Sequence, residues 1–115
     1  MDALEERTLL LDYYGDLLTE RQRVCFDMRY NQDLSLGEIA EELGVSRQGV
    51  YDTLNRAEGI LRNMEAKTGC IARSVRCRRA CETIRSAAEN LTRFPDDVVR
   101  TLSVRILSAV QELEE

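Results

Sequence analysis

Apolar residues recur every three or four positions along almost the whole chain, which is the spacing that gives a helix one apolar face. No segment shows the alternation of a half-buried strand or the turn chemistry of a hairpin, and no internal repeat is visible. The sequence therefore predicts an all-α protein.

Capping residues predict three short helices in the first half of the chain. A first helix covers about 2–14. Thr19 with Gln22, and Ser35 with Glu38, fit the capping box, in which each side chain accepts from the backbone amide of the other residue. These boxes predict where the second and third helices begin. Asn31 and Gly44 are expected to end them, near residues 30 and 43. The first helix is indicated by apolar residues at helical spacing: Leu4, Leu10, Leu11, Tyr14, Leu17 and Leu18. In the second helix, Val24, Cys25, Phe26 and Met28 are expected to face inward.

Three longer helices are predicted in the second half. They cover about 46–67, 71–92 and 96–113, and Thr68 and Gly69 form a joint between the first two. Each helix has an apolar stripe that is expected to face inward. The stripes are Val50, Leu54, Ala57 and Leu61, then Cys70, Cys77, Cys81, Ile84, Ala88 and Leu91, and finally Val98, Leu102, Ile106, Val110 and Leu113.

The stretch LSLGEIAEELGVSRQGVYDTLNRA, residues 34–57, meets the local requirements of a helix-turn-helix. The residue where the two helices cross must be small, and Ala40 is small. The turn needs a backbone with positive φ, which Gly44 allows. We expect Val45 to plug the angle between the helices and Val50 to anchor the second helix. The other inward positions are Ile39, Leu43 and Leu54.

The outer face of the second helix of this motif is polar and can contact DNA. Arg47 and Gln48 can each hold a base edge through two hydrogen bonds, and the polar residues that follow can reach phosphates. Asp52 does not help binding unless it pairs with Arg56, four residues further on. An ordinary solvated helix face would also account for these side chains. The predicted DNA-binding residues are Ser46, Arg47, Gln48, Tyr51, Asn55 and Arg56.

The charge is unevenly distributed along the chain. The net charge of −5 argues against a nucleic-acid partner, because phosphate binding needs a basic face. Residues 1–43 carry most of the excess, with 4 basic and 11 acidic side chains. Residues 73–93 have 6 basic and 2 acidic side chains, and every basic residue there is arginine.

Three interpretations fit the arginines of this basic segment. They can contact phosphate or RNA beside the helix-turn-helix, pair with the acidic N-terminal helices within or between subunits, or form a solvated face. The residues predicted for phosphate or RNA contact are Arg73, Arg76, Arg78 and Arg79, and Arg85 lies close to them in sequence.

Four cysteines and no histidine limit the chemistry of the chain. Cys70, Cys77 and Cys81 are separated by six and three residues, whereas structural zinc sites have closely paired cysteines, often with histidine. We expect core thiols, with metal binding or redox sensing as the alternative. No Gly-rich phosphate loop or nucleophile motif is present, so we expect no enzyme, no metal and no cofactor.

The sequence has no run of about 18 apolar residues, so no membrane segment is expected. The acidic N-terminal stretch MDALEERTLL lacks the basic start of a secretory signal. We expect reduced thiols, and these features together predict a cytoplasmic protein.

Two resemblances rest on the motif and its flanks. TERQR followed by DLSLGEIAEELGVSRQGVYDTLNRAEGILR resembles the region-4 module of bacterial sigma factors, which recognises a promoter element with a helix-turn-helix. More closely, LLLDYYGDLLTERQR through NRAEGILRNMEAKTG, about residues 8–69, resembles the bacterial YlxM-type family of helix-turn-helix proteins. That family's genes tend to lie beside genes for signal recognition particle components. The resemblance implies a helix-turn-helix fold and a regulatory or nucleic-acid-binding role. It does not extend beyond residue 69.

We therefore predict a helix-turn-helix domain over 1–69, with a sigma region-4-like or winged-helix-like core of three to four helices, and a helical extension over 70–115. The apolar stripes of the extension would pack on the first helix or on a second subunit. A homodimer is expected, because helix-turn-helix proteins commonly read two half-sites. The predicted function is transcription regulation through DNA binding. The alternative is an accessory factor of the signal recognition particle pathway that docks on protein or RNA.

Overall fold

A computed structural model describes residues 1–114 and confirms the all-α prediction, since the described part contains six α-helices and no strand. The chain divides into two compact units, Met1–Ile71 and the residues from Ala72 onward. The helices are α1 (Ala3–Tyr14), α2 (Glu20–Tyr30), α3 (Leu36–Leu43), α4 (Arg47–Thr68), α5 (Cys70–Leu91) and α6 (Asp97–Glu114), and a 3-10 turn covers Gly15–Leu17.

Both predicted capping boxes are present and fix where α2 and α3 begin. The Thr19 hydroxyl accepts from the Gln22 amide at 3.2 Å, and the Gln22 side chain accepts from the Thr19 amide at 3.0 Å. Ser35 and Glu38 make the same exchange at 3.1 and 3.0 Å. A cap of this kind contributes about 1 kcal/mol to stability. Local sequence therefore determines both starts without help from tertiary contacts.

The core of the first unit is made by large apolar side chains from α1 to α4. Leu10, Phe26, Ile39, Val50 and Leu61 are almost completely buried. They come from four different helices, so each helix is held by its contacts with the others. This core places α4 with one apolar side fixed inward and the opposite side free.

Three residues of the apolar patterns of the first two helices are exposed: Leu4, Leu17 and Val24. Of these, Val24 was predicted to face inward. Leu4 lies in the first turn of α1, and Leu17 lies in the 3-10 turn that follows this helix. Val24 lies at the edge of the buried arc of α2, next to Cys25. The spacing rule identified the stripes but not how far along each helix other elements cover them.

The end of α4 is tied to α1 by a buried tyrosine. The Tyr14 hydroxyl lies 2.6 Å from both the Glu65 carboxylate and the Thr68 hydroxyl. Glu65 also accepts from the backbone amide of Ile71 at 3.0 Å. Gly69, at φ 63°, provides the left-handed turn between α4 and α5. The joint predicted at Thr68 and Gly69 is therefore an ordered turn.

The second unit contains most of α5 and all of α6. Its buried residues are Cys81, Ala88, Ser103 and Val110, none of which is large. The Ser103 hydroxyl donates to the Val99 carbonyl at 2.7 Å, which satisfies it inside α6. Arg85 and Glu114 form an ion pair that joins the two helices.

The apolar stripes predicted for these two helices are only partly buried within one chain. On α6, Val110 is buried, but Val98, Leu102, Ile106 and Leu113 are exposed. On α5, Cys77, Ile84 and Leu91 are exposed as well, whereas Cys81 and Ala88 are buried. One partner helix covers only part of a helix circumference, so a broad apolar stripe extends beyond the contact between two helices.

Candidate nucleic-acid interface

The turn between α3 and α4 has the backbone geometry that the sequence predicted. Gly44 has φ 68°, a conformation that costs glycine little, and it ends α3. The amide of Val45 donates to the Ala40 carbonyl at 3.0 Å, which closes the left-handed cap. Ala40 is buried where the two helices meet.

One detail of this turn differs from the expectation. Val45 is exposed and does not plug the angle between the helices. Ile39 on α3 and Val50 on α4 are both buried. The turn therefore leaves its own apolar side chain in solvent, while the helix residues on either side of it are in the core.

The six predicted DNA-binding residues lie at the start of α4 and along its outer side. All six are exposed in the structure. Ser46 also serves as the helix cap, because its hydroxyl accepts from the Gly49 amide at 3.0 Å. The group is thus presented to solvent together, over the first three turns of the helix.

Arg47 lies over the start of α3, at a residue that the sequence reasoning did not single out. A Cβ atom built on Gly37 would lie 3.0 Å from one terminal nitrogen of the Arg47 guanidinium and 3.1 Å from its Nε. Gly37 therefore leaves room for the guanidinium. A glycine in the first turn of an eight-residue helix, where it weakens the helix, was the available signal.

Gln48 makes a contact that the sequence reasoning assigned to a different residue. Its side-chain amide donates to the Asp52 carboxylate at 3.0 Å. Asp52 was considered as a partner for Arg56, but no ion pair joins them among residues 1–114. The hydrogen bond to Asp52 uses one N–H of Gln48, and Arg56 forms no ion pair within residues 1–114.

An ion-pair network fixes α4 against α1. The Glu58 carboxylate accepts from Arg7 at 2.6 Å and from Arg62 at 3.1 Å, and Arg62 also reaches Glu6. The Arg7 guanidinium lies 4.8 Å from the ring centre of Tyr30, which adds a contact to α2. This network was not predicted from the sequence. The spacing of Glu58 and Arg62 by four was the only local signal for it.

The network also sets the protonation of its central carboxylate. Burial by itself would raise the pKa of Glu58, but the hydrogen bonds from Arg7 and Arg62 outweigh burial and lower that pKa below its usual value. Glu58 is therefore ionised at neutral pH, and it holds two arginines that would otherwise repel each other.

A shallow groove on the first unit is unsuited to nucleic acid. It has a volume of about 600 Å³ and includes Asp12, Asp16 and Asp27 in its lining. Hydrogen bonds from Asn31 and Gln32 lower the pKa of Asp27, so this carboxylate is charged at neutral pH. Three acidic side chains in one groove repel phosphate.

The arginine cluster lies on α5 in the second unit. Arg73, Arg76, Arg78 and Arg79 are all exposed, and none of them forms an ion pair within the described chain. Three of them, spaced by three residues, share one arc of the helix, and Arg78 lies apart from that arc. Arg85 differs from the cluster because it pairs with Glu114.

The cysteines are only partly the core thiols that were predicted. Cys25 and Cys81 are buried, Cys70 is half-buried and Cys77 is exposed. Burial raises the pKa of Cys25, and burial followed by the hydrogen bond with Cys77 raises the pKa of Cys81, so neither thiol is activated as a nucleophile. Among residues 1–114 no three Cys, Asp or Glu side chains are placed to hold a metal ion. No described helix is both long and apolar enough to cross a membrane.

Comparison with known proteins supports the fold of the first unit and extends further along the chain. The sequence model of the family described as "UPF0122: Putative helix-turn-helix protein, YlxM / p13 like" matches residues 2–98. The match confirms the resemblance seen in the motif. It also continues past residue 69, where the resemblance was expected to end, so the whole of α5 lies within the family match.

Individual relatives show the same range of similarity. A UPF0122 protein of Acetivibrio thermocellus is 54% identical over 71 residues, which cover 62% of this chain and 61% of that protein. A UPF0122 protein of a Thermoanaerobacter species is 43% identical over 107 residues, 92% of each chain. One from Limosilactobacillus reuteri is 40% identical over 104 residues, 90% of this chain and 89% of the relative.

Proposed function

Because the chain belongs to the UPF0122 family of YlxM- and p13-like helix-turn-helix proteins, we propose that it regulates transcription by binding duplex DNA with α4. One observation carries this proposal. The outer side of α4 presents six polar side chains at its first three turns, while its inner side is fixed in the core. A recognition helix needs this combination, since only a helix that is held rigidly can present side chains to a groove in one register.

In the proposed complex, Arg47 and Gln48 read base edges in the major groove. The Gln48–Asp52 hydrogen bond limits the rotamers of the glutamine before binding, which lowers the entropy cost of the contact. Tyr51, Asn55 and the Ser46 hydroxyl hold phosphates or sugars, and Arg56 supplies a positive charge beside them.

Electrostatics limits how strong this binding can be. Only Arg47 and Arg56 bring positive charge to the proposed interface, and Glu38, Glu41 and Glu42 are exposed on neighbouring α3. Each neutralised phosphate contributes about −0.9 to the slope of log affinity against log salt, so we expect a slope of roughly −2 for each bound chain. Affinity would then depend on base contacts and on two chains acting together more than on charge.

The test is a pull-down of pooled genomic DNA fragments by the purified protein at low salt, followed by sequencing. We expect particular fragments to be enriched, and the enrichment to be lost in the Arg47→Ala, Gln48→Ala double variant. Asn63→Ala is the matched control, because Asn63 is exposed on α4 but further along the helix. Unchanged sequence preference in the double variant would contradict the assignment of these contacts.

A second candidate is supported by the arginine cluster. Four exposed arginines without ion pairs on α5 fit a phosphate-rich partner better than the acidic first unit does. In this version the protein is an accessory factor of the signal recognition particle pathway that binds RNA or docks on one of its proteins. Total small RNA in the same pull-down separates the candidates, because enrichment of one RNA that is lost in an Arg73→Ala, Arg76→Ala, Arg79→Ala variant would favour it.

Both versions include a cytoplasmic location and no catalytic role. The chain has no histidine, and its four cysteines are free thiols. Both versions also include a homodimer, because two recognition helices related by a twofold axis match two half-sites.

A further inference from the structure

The second unit leaves its large apolar side chains outside and its small ones inside. Its interior contains Cys81, Ala88, Ser103 and Val110. The side chains left exposed on one side of it are Ile84, Leu91, Val98, Leu102, Ile106 and Leu113, with Val98 at 68% and Leu113 at 67% of their full exposure. A soluble helical hairpin with this distribution has an apolar surface that water contacts at a free-energy cost.

These exposed residues share one face of the hairpin. At about 100° per residue, Cys77, Ile84 and Leu91 follow a single line along α5, because they are seven residues apart. Leu102, Ile106 and Leu113, which are four and seven residues apart, follow a similar line along α6. In an antiparallel pair of helices both lines fall on the same side of the contact marked by the buried Cys81 and Val110. The two stripes therefore make one continuous surface.

We propose that this face binds the same face of a second copy of the chain, so that two α5–α6 hairpins form a four-helix bundle with α6 antiparallel to α6 and α5 beside α5. The proposal deepens the proposed function, since it states how two recognition helices would be joined. Its test contains no DNA, so this interface can be disproved while binding of DNA by α4 is still observed.

The size of the face fits a dimer. The six exposed side chains leave on the order of 500 Å² of apolar surface on each copy, which is at the upper limit of what monomers expose. Two copies would bury about 1,000 Å² from these side chains alone, and the surrounding residues bring the total into the range of stable interfaces, about 1,200–2,000 Å².

The spacing along α6 fits an antiparallel seam. Leu102, Ile106, Ala109 and Leu113 are separated by four, three and four residues, the alternation of a coiled-coil repeat. In an antiparallel pair, Leu102 faces Leu113 of the second copy. Ile106 faces Ala109 of the second copy, whose small side chain leaves room for it. Every layer across this seam then pairs a large side chain with one that fits beside it.

The charges beside the seam are self-complementary. Arg105 and Glu112 are seven residues apart on the edge of the stripe away from α5, and both are exposed. An antiparallel arrangement places Arg105 beside Glu112 of the second copy, and the twofold axis repeats the pair. A parallel arrangement would place like charges together. This complementarity favours a second copy over an unrelated apolar partner.

The test is the mass in solution by sedimentation equilibrium over a range of protein concentrations. We expect twice the mass of one chain for the unmodified protein. Leu102→Glu should weaken the association by about 100-fold or more, because it buries a charge at the seam. Val104→Glu is the matched control, since Val104 is 55% exposed against 48% for Leu102 but lies on the other side of α6. We expect it to change the association by less than about threefold.

A charge exchange keeps the proposal testable if Leu102→Glu disturbs folding. Arg105→Glu alone should weaken the dimer by roughly 10-fold, and adding Glu112→Arg should restore it. A monomer at all concentrations, a mass above two chains, a dimer that survives Leu102→Glu, or no recovery in the exchanged variant would each overturn the proposal.

Discussion

The two units of the chain bury apolar residues in different ways. In the first unit four helices surround Phe26, Ile39, Leu61 and other large side chains, and an ion-pair network ties the helices together. In the second unit two helices share an interior of small residues, and their leucines and isoleucines remain exposed. The first unit therefore encloses its large side chains, whereas the second leaves an apolar face exposed.

The comparison predicts that truncation of a phenylalanine is costly in the first unit and cheap in the second. Phe26→Ala should lower the free energy of unfolding by about 3–5 kcal/mol, since it removes a ring that is 0% exposed. Phe94→Ala, at 57% exposure in the turn before α6, should cost under about 0.5 kcal/mol. Urea unfolding followed by circular dichroism measures both. Equal costs would remove the distinction between the units.

The ion-pair network gives the next largest effect. Glu58→Gln should lower the free energy of unfolding by about 1–2 kcal/mol. It removes the negative charge that offsets the repulsion between Arg7 and Arg62, while α1 still packs on α4. Glu82→Gln, on an exposed position of α5, is the control and should change stability by less than about 0.5 kcal/mol. If the two variants unfold alike, the network does not stabilise the packing of α4 on α1.

Low pH should lower the stability of the first unit because it protonates the Glu58 carboxylate. The pKa of Glu58 is lowered in the folded protein, so its contribution is fully present above the ordinary value of 4.5 and is lost as the pH falls through the folded value. Asp27 and Glu38, whose pKa values are lowered by hydrogen bonds, add to this loss. Unfolding measured between pH 6 and about pH 3 should show a decline that is smaller in Glu58→Gln. An equal decline in both proteins would contradict the role assigned to Glu58.

A pair of glycine substitutions, one beside the proposed interface and one outside it, gives the smallest effect. Gly59 lies in α4, and no atom lies within 4 Å of the place where its Cβ would be, so Gly59→Ala should stabilise the helix by about 0.5–1 kcal/mol. Gly37→Ala should stabilise less, because its methyl group meets the Arg47 guanidinium and displaces it. Thermal melts compare the two, and DNA binding should fall only for Gly37→Ala. Reduced DNA binding in Gly59→Ala instead would show that the middle of α4 approaches DNA more closely than proposed.

Features that depend on neighbours in sequence were predictable. The two capping boxes, the left-handed turns at Gly44 and Gly69, and the exposure of the polar side of α4 follow from residues within one or two helical turns. The candidate interface was therefore identified before its geometry was known. Gly37 was not predicted to belong to it. This glycine matters only because the side chain of Arg47, the first residue of α4, lies over it.

Features that depend on contacts between residues far apart in the sequence were not predictable. Val45 and Val24 have the right residue type for burial but are exposed, because burial depends on which elements cover a position and not on residue type alone. The Arg7–Glu58 pair joins residues 51 positions apart, and no local pattern marks it. On α6 the apolar period was correct, but it could not specify how many partners would cover the stripe.

The sequence by itself determined that the chain is helical, where each helix begins and ends, and which side of α4 is polar, because capping, glycine conformation and apolar period act over a few residues. Only the tertiary structure decided which stripes are buried. Burial depends on how many helices surround a given face, and α4 has several neighbours in the first unit, whereas α5 and α6 in the second unit share a small interior. The exposed stripe of α6 is the result of that difference in neighbours.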